Sequence, residues 1–548
     1  MLSRKDAKKV VRREFRILIV DDVVEVCTSI EGFLASEGYD AESAHTLDEA
    51  WDRLNNSFYH VLILDINLRG DEQPENDDGL QLLRKLDHKG LLSATQVIMY
   101  SDRGSLERYR EAFGKFHVED FLEKVRNTPA DLVTAIKKIA KEKAQINLSL
   151  NTRWPKDLNP LQVVVNLNIA GTRVKDHSSL QEQLATELDD LLCRLFYKSA
   201  SVLLKPLSSG QSGSAVMLAT PFFKKTGAGQ AVVVKFGDHS QINQEWQNFK
   251  EFVQLYLGGN RSTNVIDLRR SLHLGGIVYS LLGSASDQVE SFRSFYARAD
   301  VRKIKIALQR LFQETCKQWY ANRGVLQLLD LTHEYAQQRL GLSTGRLERA
   351  ISEGLKGVHG KRELYFDALS TKRAFTSPVV DLRTQEYLAS TYECSTHGDL
   401  NGDNILIDQD AHAWLIDFSL TGPGHILRDF AELDGAIRFQ FLKPEEATLE
   451  ERLVMEDVLA VPQHFSEVNK LPEKLETENA ALAKAYETTL YLRKLAQQTV
   501  SSNPTDEIRE YNVALYYYSL NALRFYSWPQ IQRQHALLSA SILFDLIN

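Results

Sequence analysis

Apolar residues in the first quarter of the chain occur in short runs, and each run ends in polar or charged residues. Segments with apolar residues at helical spacing separate the runs. Such alternation predicts a parallel sheet covered by helices on both faces. The strand-like runs lie at 16–20, 61–64, 96–100 and 116–122, and the clearest helical segments between them are Val24–Ser36 and Gly79–Leu86.

The remaining pattern mixes strands and helices at first and then becomes mainly helical. Residues 162–168 alternate like a strand, and 179–196 have the pattern of an amphipathic helix. Apolar runs at 231–236 and 276–283 predict two further strands. Helical spacing dominates 301–390, with amphipathic stretches at 304–311, 326–340 and 345–354, and 444–548 is expected to form a helical cover that keeps its aromatic residues in the core.

Length requires more than one domain, since 548 residues exceed a single hydrophobic core. A helix is predicted at 130–146, and its charged second part is expected to project outward. Breakers at Trp154-Pro155 and Asn159-Pro160 follow it and mark a boundary. The predicted organisation is a basic leader at 1–14, a first domain at 15–146, a linker with a connecting strand at 147–178, and two further parts at 179–283 and 284–548.

Composition narrows the class of protein. The net charge of −8 and a pI near 6.0 argue against nucleic-acid binding. No apolar run reaches the roughly 18 residues of a membrane span, and the basic start lacks the apolar region of a secretory signal. The cysteines share no metal-ligand spacing and fit reduced thiols. These features predict a cytoplasmic protein.

Carboxylates, a hydroxyl and a lysine follow the predicted strands of the first domain. They are Asp21, Asp22, Asp65, Ser101 and Lys124. Reactive groups gather at the carboxyl ends of parallel strands, and crowded carboxylates bind a hard cation such as Mg²⁺. A carboxylate beside Mg²⁺ can accept a phosphoryl group, whose oxygens the hydroxyl and the ammonium can then hold.

This set resembles the receiver domain of bacterial response regulators. The resemblance implies Asp65 as the phosphoacceptor, Asp21 and Asp22 as the acidic pocket with Asp22 preferred as metal ligand, and Asp65 as a further ligand. It implies Ser101 and Phe121 as switch residues and Lys124 as the phosphate-sensing lysine. A sensor histidine kinase or phosphotransfer protein would be the partner. A degenerate receiver without signalling remains the alternative.

Two features depart from the receiver pattern. Val125 follows the lysine where the family usually has proline, and an acidic loop at 69–78 lengthens the segment after Asp65. The loop is either a solvated surface segment or one that alters dephosphorylation or partner choice.

The most specific motif lies in the last third of the chain. It reads H-G-D-x-x-x-x-N from His397 to Asn404, and Asp417-Phe418-Ser419 follows. Phosphoryl transfer from ATP needs a carboxylate beside the attacking hydroxyl, and an Asn and a second carboxylate to hold Mg²⁺. Short strands at 405–407 and 414–416 are predicted to hold these groups apart.

Upstream residues could complete a nucleotide site. A Gly/Ser loop at 208–214 can bring backbone N–H groups to phosphate oxygens, although such loops are often simple hairpins. Lys235 lies in an apolar strand and needs a negative partner, unless it only extends from an edge strand to solvent. Glu245 is the preferred partner and Glu251 the alternative. The candidate nucleotide-binding residues are Gly210, Ser212, Gly213, Lys235, Glu245, Ser280 and Leu282.

Residues 200–540 resemble the protein-kinase-like superfamily, most closely its aminoglycoside and choline phosphotransferase branch. The resemblance implies Asp399 as catalytic base, Lys235 as a catalytic phosphate contact, and Asn404 and Asp417 as Mg²⁺ ligands. His397 and Asp429 would give structural support. Only eleven residues separate Asp417 from Asp429, which favours a small-molecule hydroxyl acceptor over a protein acceptor.

The expected fold is therefore α/β. It combines an N-terminal doubly wound, flavodoxin-like, five-stranded parallel sheet with a C-terminal α+β bilobal kinase-like domain, whose N-lobe is 179–283 and whose largely helical C-lobe is 284–548. The functional hypothesis is a two-component response regulator with an ATP- and Mg²⁺-dependent phosphotransferase output. The alternative is a pseudokinase-like module that binds nucleotide or protein as a signalling scaffold.

Overall fold

A computed structural model describes residues 13–69, 76–102, 105–207, 213–256, 262–281, 289–379, 382 and 385–548. The chain forms two compact units. The first comprises Met1–Gln244 and Val265–Ser280, and the second comprises Glu245–Asn264 and Leu281–Asn548. The predicted nucleotide contacts Gly210, Ser212 and Leu282 lie outside the described residues.

The amino-terminal part of the first unit is a five-stranded parallel sheet in the order β2-β1-β3-β4-β5. Two separate apolar clusters cover its faces, which confirms the predicted flavodoxin-like architecture. Its elements are β1 (Arg16–Val20), α1 (Val24–Ser36), β2 (Asp40–Ala44), α2 (Leu47–Asn56), β3 (Val61–Leu64), α3 (Asp78–His88), β4 (Gln96–Tyr100), α4 (Leu106–Phe116), β5 (Asp120–Leu122) and α5 (Pro129–Glu142).

Two strands of this sheet differ from the sequence pattern. Strand β2 has the sequence DAESA, which has no apolar run, because it is an edge strand with one neighbour. The run at 116–122 was wrong as a single strand. Phe116 ends α4, His117 turns the chain with a φ of 52°, and only Asp120–Leu122 joins the sheet.

A second sheet completes the first unit. Its strand order is β13-β14-β12-β10-β9-β6, with β11 paired to β10. Helix α7 packs in the apolar cluster of this part. The elements are β6 (Asn151–Arg153), α6 (Pro160–Val164), β7 (Asn168–Ile169), β8 (Thr172–Arg173), α7 (Ser178–Leu195), β9 (Ser201–Pro206), β10 (Ala215–Phe223), β11 (Gly227–Ala228), β12 (Val232–Asp238), α8 (His239–Asn248), β13 (Thr263–Arg270) and β14 (Leu274–Leu281).

The predicted strand at 162–168 was wrong. Helix α6 occupies Pro160–Val164, because Pro160 stands in its first turn and the Asn159 side chain accepts a hydrogen bond from Gln162 N at 3.0 Å. A capped start with proline in the first turn outweighs a short apolar alternation.

The second unit contains short strand pairs and long helices. Its strands form the groups β15-β22-β23, β16-β20, β17-β18-β19 and β21-β24. The elements are β15 (Glu290–Ser291), α9 (Phe292–Arg298), α10 (Val301–Arg310), α11 (Lys317–Ala321), β16 (Gln327–Asp330), α12 (Thr344–Ser352), β17 (Val358–His359), β18 (Glu363–Phe366), β19 (Phe375–Thr376), β20 (Leu388–Thr391), β21 (Glu393–Thr396), β22 (Ile405–Ile407), β23 (Ala413–Leu415), β24 (Gly422–His425), α13 (Arg428–Ala436), α14 (Leu449–Leu459), α15 (Ala480–Thr499), α16 (Arg509–Ala522) and α17 (Gln530–Ile547).

The expected helical stretch at 326–340 was wrong in its first part. Gln327–Asp330 is strand β16, whose partner β20 lies some sixty residues away, and a π-helical segment follows at His333–Arg339. Pairing with so distant a strand leaves no local signature in the sequence.

The carboxyl-terminal helices bury most of their aromatic residues, as expected. Tyr511, Tyr516 and Tyr517 are fully buried, whereas Phe525 and Tyr526 are exposed. The expectation that these last two lie in the core was wrong. They lie in the turn between α16 and α17, which has solvent on one side. No described helix is long and apolar enough to cross a membrane.

Candidate functional site

The carboxyl ends of β1 and β3 bring Asp21 and Asp65 together with Lys124. Lys124 Nζ lies 2.6 Å from Asp21 Oδ2 and 2.5 Å from Asp65 Oδ2. Both carboxylates are buried. Oxygens of Asp21, Asp22 and Asp65 lie within 4.8 Å of one another, so these three side chains can share one hard cation.

The charged groups of this pocket shift one another's pKa values. Burial raises the pKa of Asp21, and Asp65 raises it further, while Lys124 opposes both effects. Burial by itself would lower the pKa of Lys124, but Asp65 and Asp21 raise it above its ordinary value. Lys124 therefore remains a cation at neutral pH and partly neutralises the two carboxylates.

The two predicted switch residues lie on neighbouring strands. Ser101 is fully buried directly after β4, and its N–H donates to Leu122 O of β5 at 3.1 Å. Phe121 is half-buried on β5, where its ring centroid lies 3.9 Å from that of Tyr109 on α4. The hydroxyl of Tyr109 donates to Glu123 at 3.0 Å, which fixes the ring.

Backbone contacts explain two residues of the receiver, Val125 and Gly79. Val125 N donates to Asp102 Oδ1 at 2.8 Å, a bond that proline cannot make. A Cβ on Gly79 would lie 2.1 Å from Asp65 O. Only glycine therefore lets α3 approach the backbone of Asp65.

The H-G-D-x-x-x-x-N loop in the second unit joins Asp399 to Asn404. Asn404 Nδ2 donates at 2.8 Å both to Asp399 Oδ2 and to Asp399 O. The bond fixes the carboxylate and leaves the amide oxygen of Asn404 as the atom that can bind a cation. Strands β22 and β23 follow as a hairpin, with Ile405 paired to Leu415.

Asp417 adopts an unusual backbone conformation. Its φ of 67° lies in the left-handed region, which costs a non-glycine residue free energy and is concentrated at functional sites. Ser419 Oγ donates to Asp417 Oδ1 at 2.7 Å. Asn248 on α8 donates to Phe418 O at 3.0 Å, and Glu245 accepts from Phe418 N at 3.1 Å.

Asp429 on α13 holds the start of the same loop. Its carboxylate, fully buried, accepts hydrogen bonds from His397 N at 2.8 Å and Gly398 N at 3.0 Å. His397 is also fully buried, and its Nε2 lies 3.0 Å from Ile416 O. Gly398 has a φ of +80°, and a Cβ there would lie 2.3 Å from Leu420 O. These contacts fix the backbone immediately before Asp399.

Glu432 is a neighbour of the loop that sequence reasoning missed. Its carboxyl accepts from Leu400 N at 3.1 Å and from Tyr518 OH at 3.2 Å. Burial and then the charge of Asp399 raise the pKa of Glu432 well above its ordinary value. Its position one helical turn after Asp429 was the available signal.

Of the other predicted nucleotide contacts, some lie in the first unit and one lies in the second. In the first unit, Lys235 is buried on β12, Ser280 is half-buried on β14, and Gly213, with a φ of +75°, packs against Asn168. In the second unit, Glu245 is fully buried, whereas its alternative Glu251 is exposed.

Two known protein families match different parts of the chain. The response regulator receiver domain family matches residues 17–137. The ternary complex associated domain 9 family matches residues 199–360 and 366–524, which together exceed half of the chain. The chain belongs to the ternary complex associated domain 9 family.

Solved structures of receivers resemble the amino-terminal part. A CheY-like receiver from Methanospirillum hungatei JF-1 is 29% identical over 24% of this chain and 95% of its own, with a TM-score of 0.21. The receiver of NtrX from Brucella abortus is 28% identical over 23% of this chain and 99% of its own, with a TM-score of 0.20. No curated protein matches the chain.

The amino-terminal domain is thus a response regulator receiver in a two-component system, and a phosphodonor such as a histidine kinase is its partner. The predicted receiver resemblance is confirmed. The kinase-like resemblance of the remaining residues stays a prediction.

Proposed function

We propose that this family member is a response regulator whose receiver accepts a phosphoryl group on Asp65 and controls an ATP-dependent phosphotransferase in the rest of the chain. The observation that carries the output is the Asp399 loop. Asn404 orients Asp399, Asp429 braces the backbone before it, and Asp417 is held in a strained conformation nearby in sequence.

Asp399 is the group that accepts the proton of the attacking hydroxyl. Its carboxylate is fixed by Asn404 Nδ2, so the hydroxyl meets an oriented acceptor. Asn404 and Asp417 would hold Mg²⁺, which supplies positive charge against the phosphates. Lys235 is a buried cation of the first unit, and the kinase-like resemblance implies a phosphate contact for it. The short connection to Asp429 favours a small-molecule hydroxyl as acceptor.

The Asp65 pocket supports the regulatory half of the proposal. Asp65 offers its carboxylate beside Lys124, and Asp21 and Asp22 would help to hold Mg²⁺ there. A phosphoryl group on Asp65 would break the ion pair that the Asp65 carboxylate forms with Lys124. Ser101, fully buried at the end of β4, would then hold a phosphoryl oxygen.

A measurement of phosphoryl transfer from ATP tests the proposed phosphotransferase. The full chain with Mg²⁺ and labelled ATP is incubated with a cell extract, and label is followed into metabolites, protein and free phosphate. Asp399→Asn is expected to lower transfer by about 10³-fold, because the base and its orientation are lost. Asp410→Asn, an exposed aspartate in the β22–β23 turn, is the matched control. Equal transfer by wild type and Asp399→Asn would refute the phosphotransferase.

Phosphorylation of the receiver is tested separately with a small acyl phosphate as donor. Wild type is expected to gain label that is released by hydroxylamine, as an acyl phosphate should be, and Asp65→Asn to gain none. Asp48→Asn, at an exposed position of α2, is the control. Transfer by the output is then measured in both states, and an unchanged rate would remove the proposed control.

The second candidate function is a binding module, and the family description favours it, since that description names association with a ternary complex. The output would then hold nucleotide or a partner protein without turnover. Wild-type signalling in cells by Asp399→Asn would favour this function over the phosphotransferase.

A further inference from the structure

The first unit contains a cavity of about 230 Å³ between the receiver and the second sheet. Receiver residues His60 and Lys143 line it together with Arg194 of α7 and Arg270 of β13. His60 directly precedes β3, whereas Asp65 directly follows it. The cavity therefore lies at the end of the receiver sheet opposite to the phosphoacceptor.

Two of the lining residues, His60 and Arg194, belong to a buried ionic contact between the receiver and α7. Asp190 lies 2.8 Å from His60 Nε2 and 2.7 Å from Arg194 Nε. Arg194 Nη1 also donates to Ala94 O of the receiver at 3.1 Å. Arg194 is only 7% exposed, and its Nη2 is buried without a hydrogen-bond partner.

Arg270 lines the cavity, and no carboxylate belongs to the described lining. Its Nε and Nη2 are buried and have no hydrogen-bond partner, and burial lowers the pKa of its guanidinium with no carboxylate opposing the effect. Arg270 Nη1 lies close to the receiver backbone, since a Cβ added to Gly90 would be 2.9 Å from it. Arg270 is itself half-buried. Buried N–H groups that lack partners are costly, and a bound water or ion is one explanation for such groups.

The formally charged side chains in the described lining are all cations. Its cations are Lys143, Arg194, Arg269 and Arg270, and the described lining contains no carboxylate. Glu119 pairs with Lys143, and Asp267 pairs with Arg269. Arg270 is left as the uncompensated cation. His239 is a further polar neighbour; burial and then Arg270 lower the pKa of its ring, so a neutral imidazole can donate one N–H.

We propose that this cavity binds a small oxyanion through the guanidinium groups of Arg270 and Arg194. Guanidinium N–H groups match the oxygens of phosphate and carboxylate alike. The volume is below that of sites for drug-sized ligands, so the ligand is inorganic phosphate or a metabolite of a few carbons. Because the lining comes from both the receiver and the second sheet, the bound anion stabilises the contact between them.

Thermal unfolding of the full chain tests the site. EDTA is present and Asp65→Asn is the background, so that the acidic pocket contributes no anion binding. Inorganic phosphate and acetate are titrated separately against sodium chloride of equal ionic strength. Phosphate, acetate or both are expected to raise Tm by a few degrees, and the more effective anion identifies the ligand class. No shift with either anion would overturn the proposal.

The variant Arg270→Met tests whether Arg270 binds a ligand or only supports the fold. The variant is expected to unfold no earlier than its parent in anion-free buffer, because an unpaired buried charge is removed, and to lose the anion-dependent shift. Arg53→Met, which removes an exposed arginine of the receiver, should keep the full shift. Equilibrium dialysis with labelled phosphate or acetate gives a second readout. There Arg270→Met should bind at least about tenfold more weakly, a difference of ~1.4 kcal/mol, and equal binding by Arg270→Met and parent would overturn the proposal.

Discussion

The Asp65 pocket and the Asp399 loop are built in different ways. Asp21, Asp65 and Lys124 are far apart in the chain and meet because each follows a strand of one parallel sheet. Asp399 and Asp417 are close in the chain and are positioned by loop backbone. Sheet topology therefore places the first set of residues, whereas individual hydrogen bonds and left-handed residues place the second.

This difference predicts different sensitivities to substitution. A parallel sheet has many redundant hydrogen bonds, so losing one contact at its edge costs little. The Asp399 loop relies on individual buried contacts, such as those of Asp429 with His397 N and Gly398 N. The following predictions test this contrast, from the largest expected effect to the smallest.

Loss of Asp429 should have the largest effect. Asp429→Ala leaves His397 N and Gly398 N buried without an acceptor, which should lower the free energy of unfolding of the second unit by roughly 4 kcal/mol. Denaturant unfolding measures the loss, and amide hydrogen exchange at these two residues should accelerate. Asp410→Ala, exposed in a turn, is the control and should change little.

Glycine substitutions compare the two sites directly. Gly398→Ala combines a left-handed φ with a contact to Leu420 O, and should cost roughly 3 kcal/mol. Gly79→Ala meets Asp65 O without a positive φ, and should cost roughly 2 kcal/mol. The controls are Gly345→Ala and Gly32→Ala, two helical positions with open space, where alanine should be neutral or stabilise by up to about 1 kcal/mol. Equal losses at test and control positions would contradict the structure.

Acid should weaken the second unit through His535. Burial lowers the pKa of this imidazole to about 4, whereas the unfolded chain has a pKa of about 6.5. The unfolded state therefore binds the proton first as pH falls, and stability is lost. Between about pH 6.5 and 5 the loss should be roughly 2 kcal/mol. His535→Gln should remove this slope, and His359→Gln, an exposed histidine, should keep it.

Val125→Pro should have the smallest effect, since the sheet retains its other bonds. It removes the exposed N–H bond to Asp102 and should cost about 1 kcal/mol or less. In an Asp102→Ala background the same substitution should cost less, because the acceptor is already gone. A loss above that of Gly398→Ala would reverse the contrast between the sites.

Local patterns in the sequence were sufficient for most elements of the receiver. Helix α1 has the predicted bounds, and β1, β3 and β4 lie in the predicted apolar runs. Edge strand β2 and the strand pair β16-β20 were missed, because their pairing partners, not their own residues, make them strands. The prediction of a strand at 162–168 was wrong because the Asn159 cap and Pro160 start a helix there, which the apolar alternation does not show.

The sequence by itself determined which residue types carry chemistry and at what spacing, from Asp65 to the run between His397 and Asp417. These signals are local, since strand ends and short loops place neighbouring residues predictably. Only the tertiary structure decided which buried charges find a partner. It placed Glu432 beside the Asp399 loop, and it placed Arg270 in a cavity whose described lining contains no carboxylate. Such contacts join residues far apart in the chain, and their free energy depends on burial, which a linear pattern does not contain.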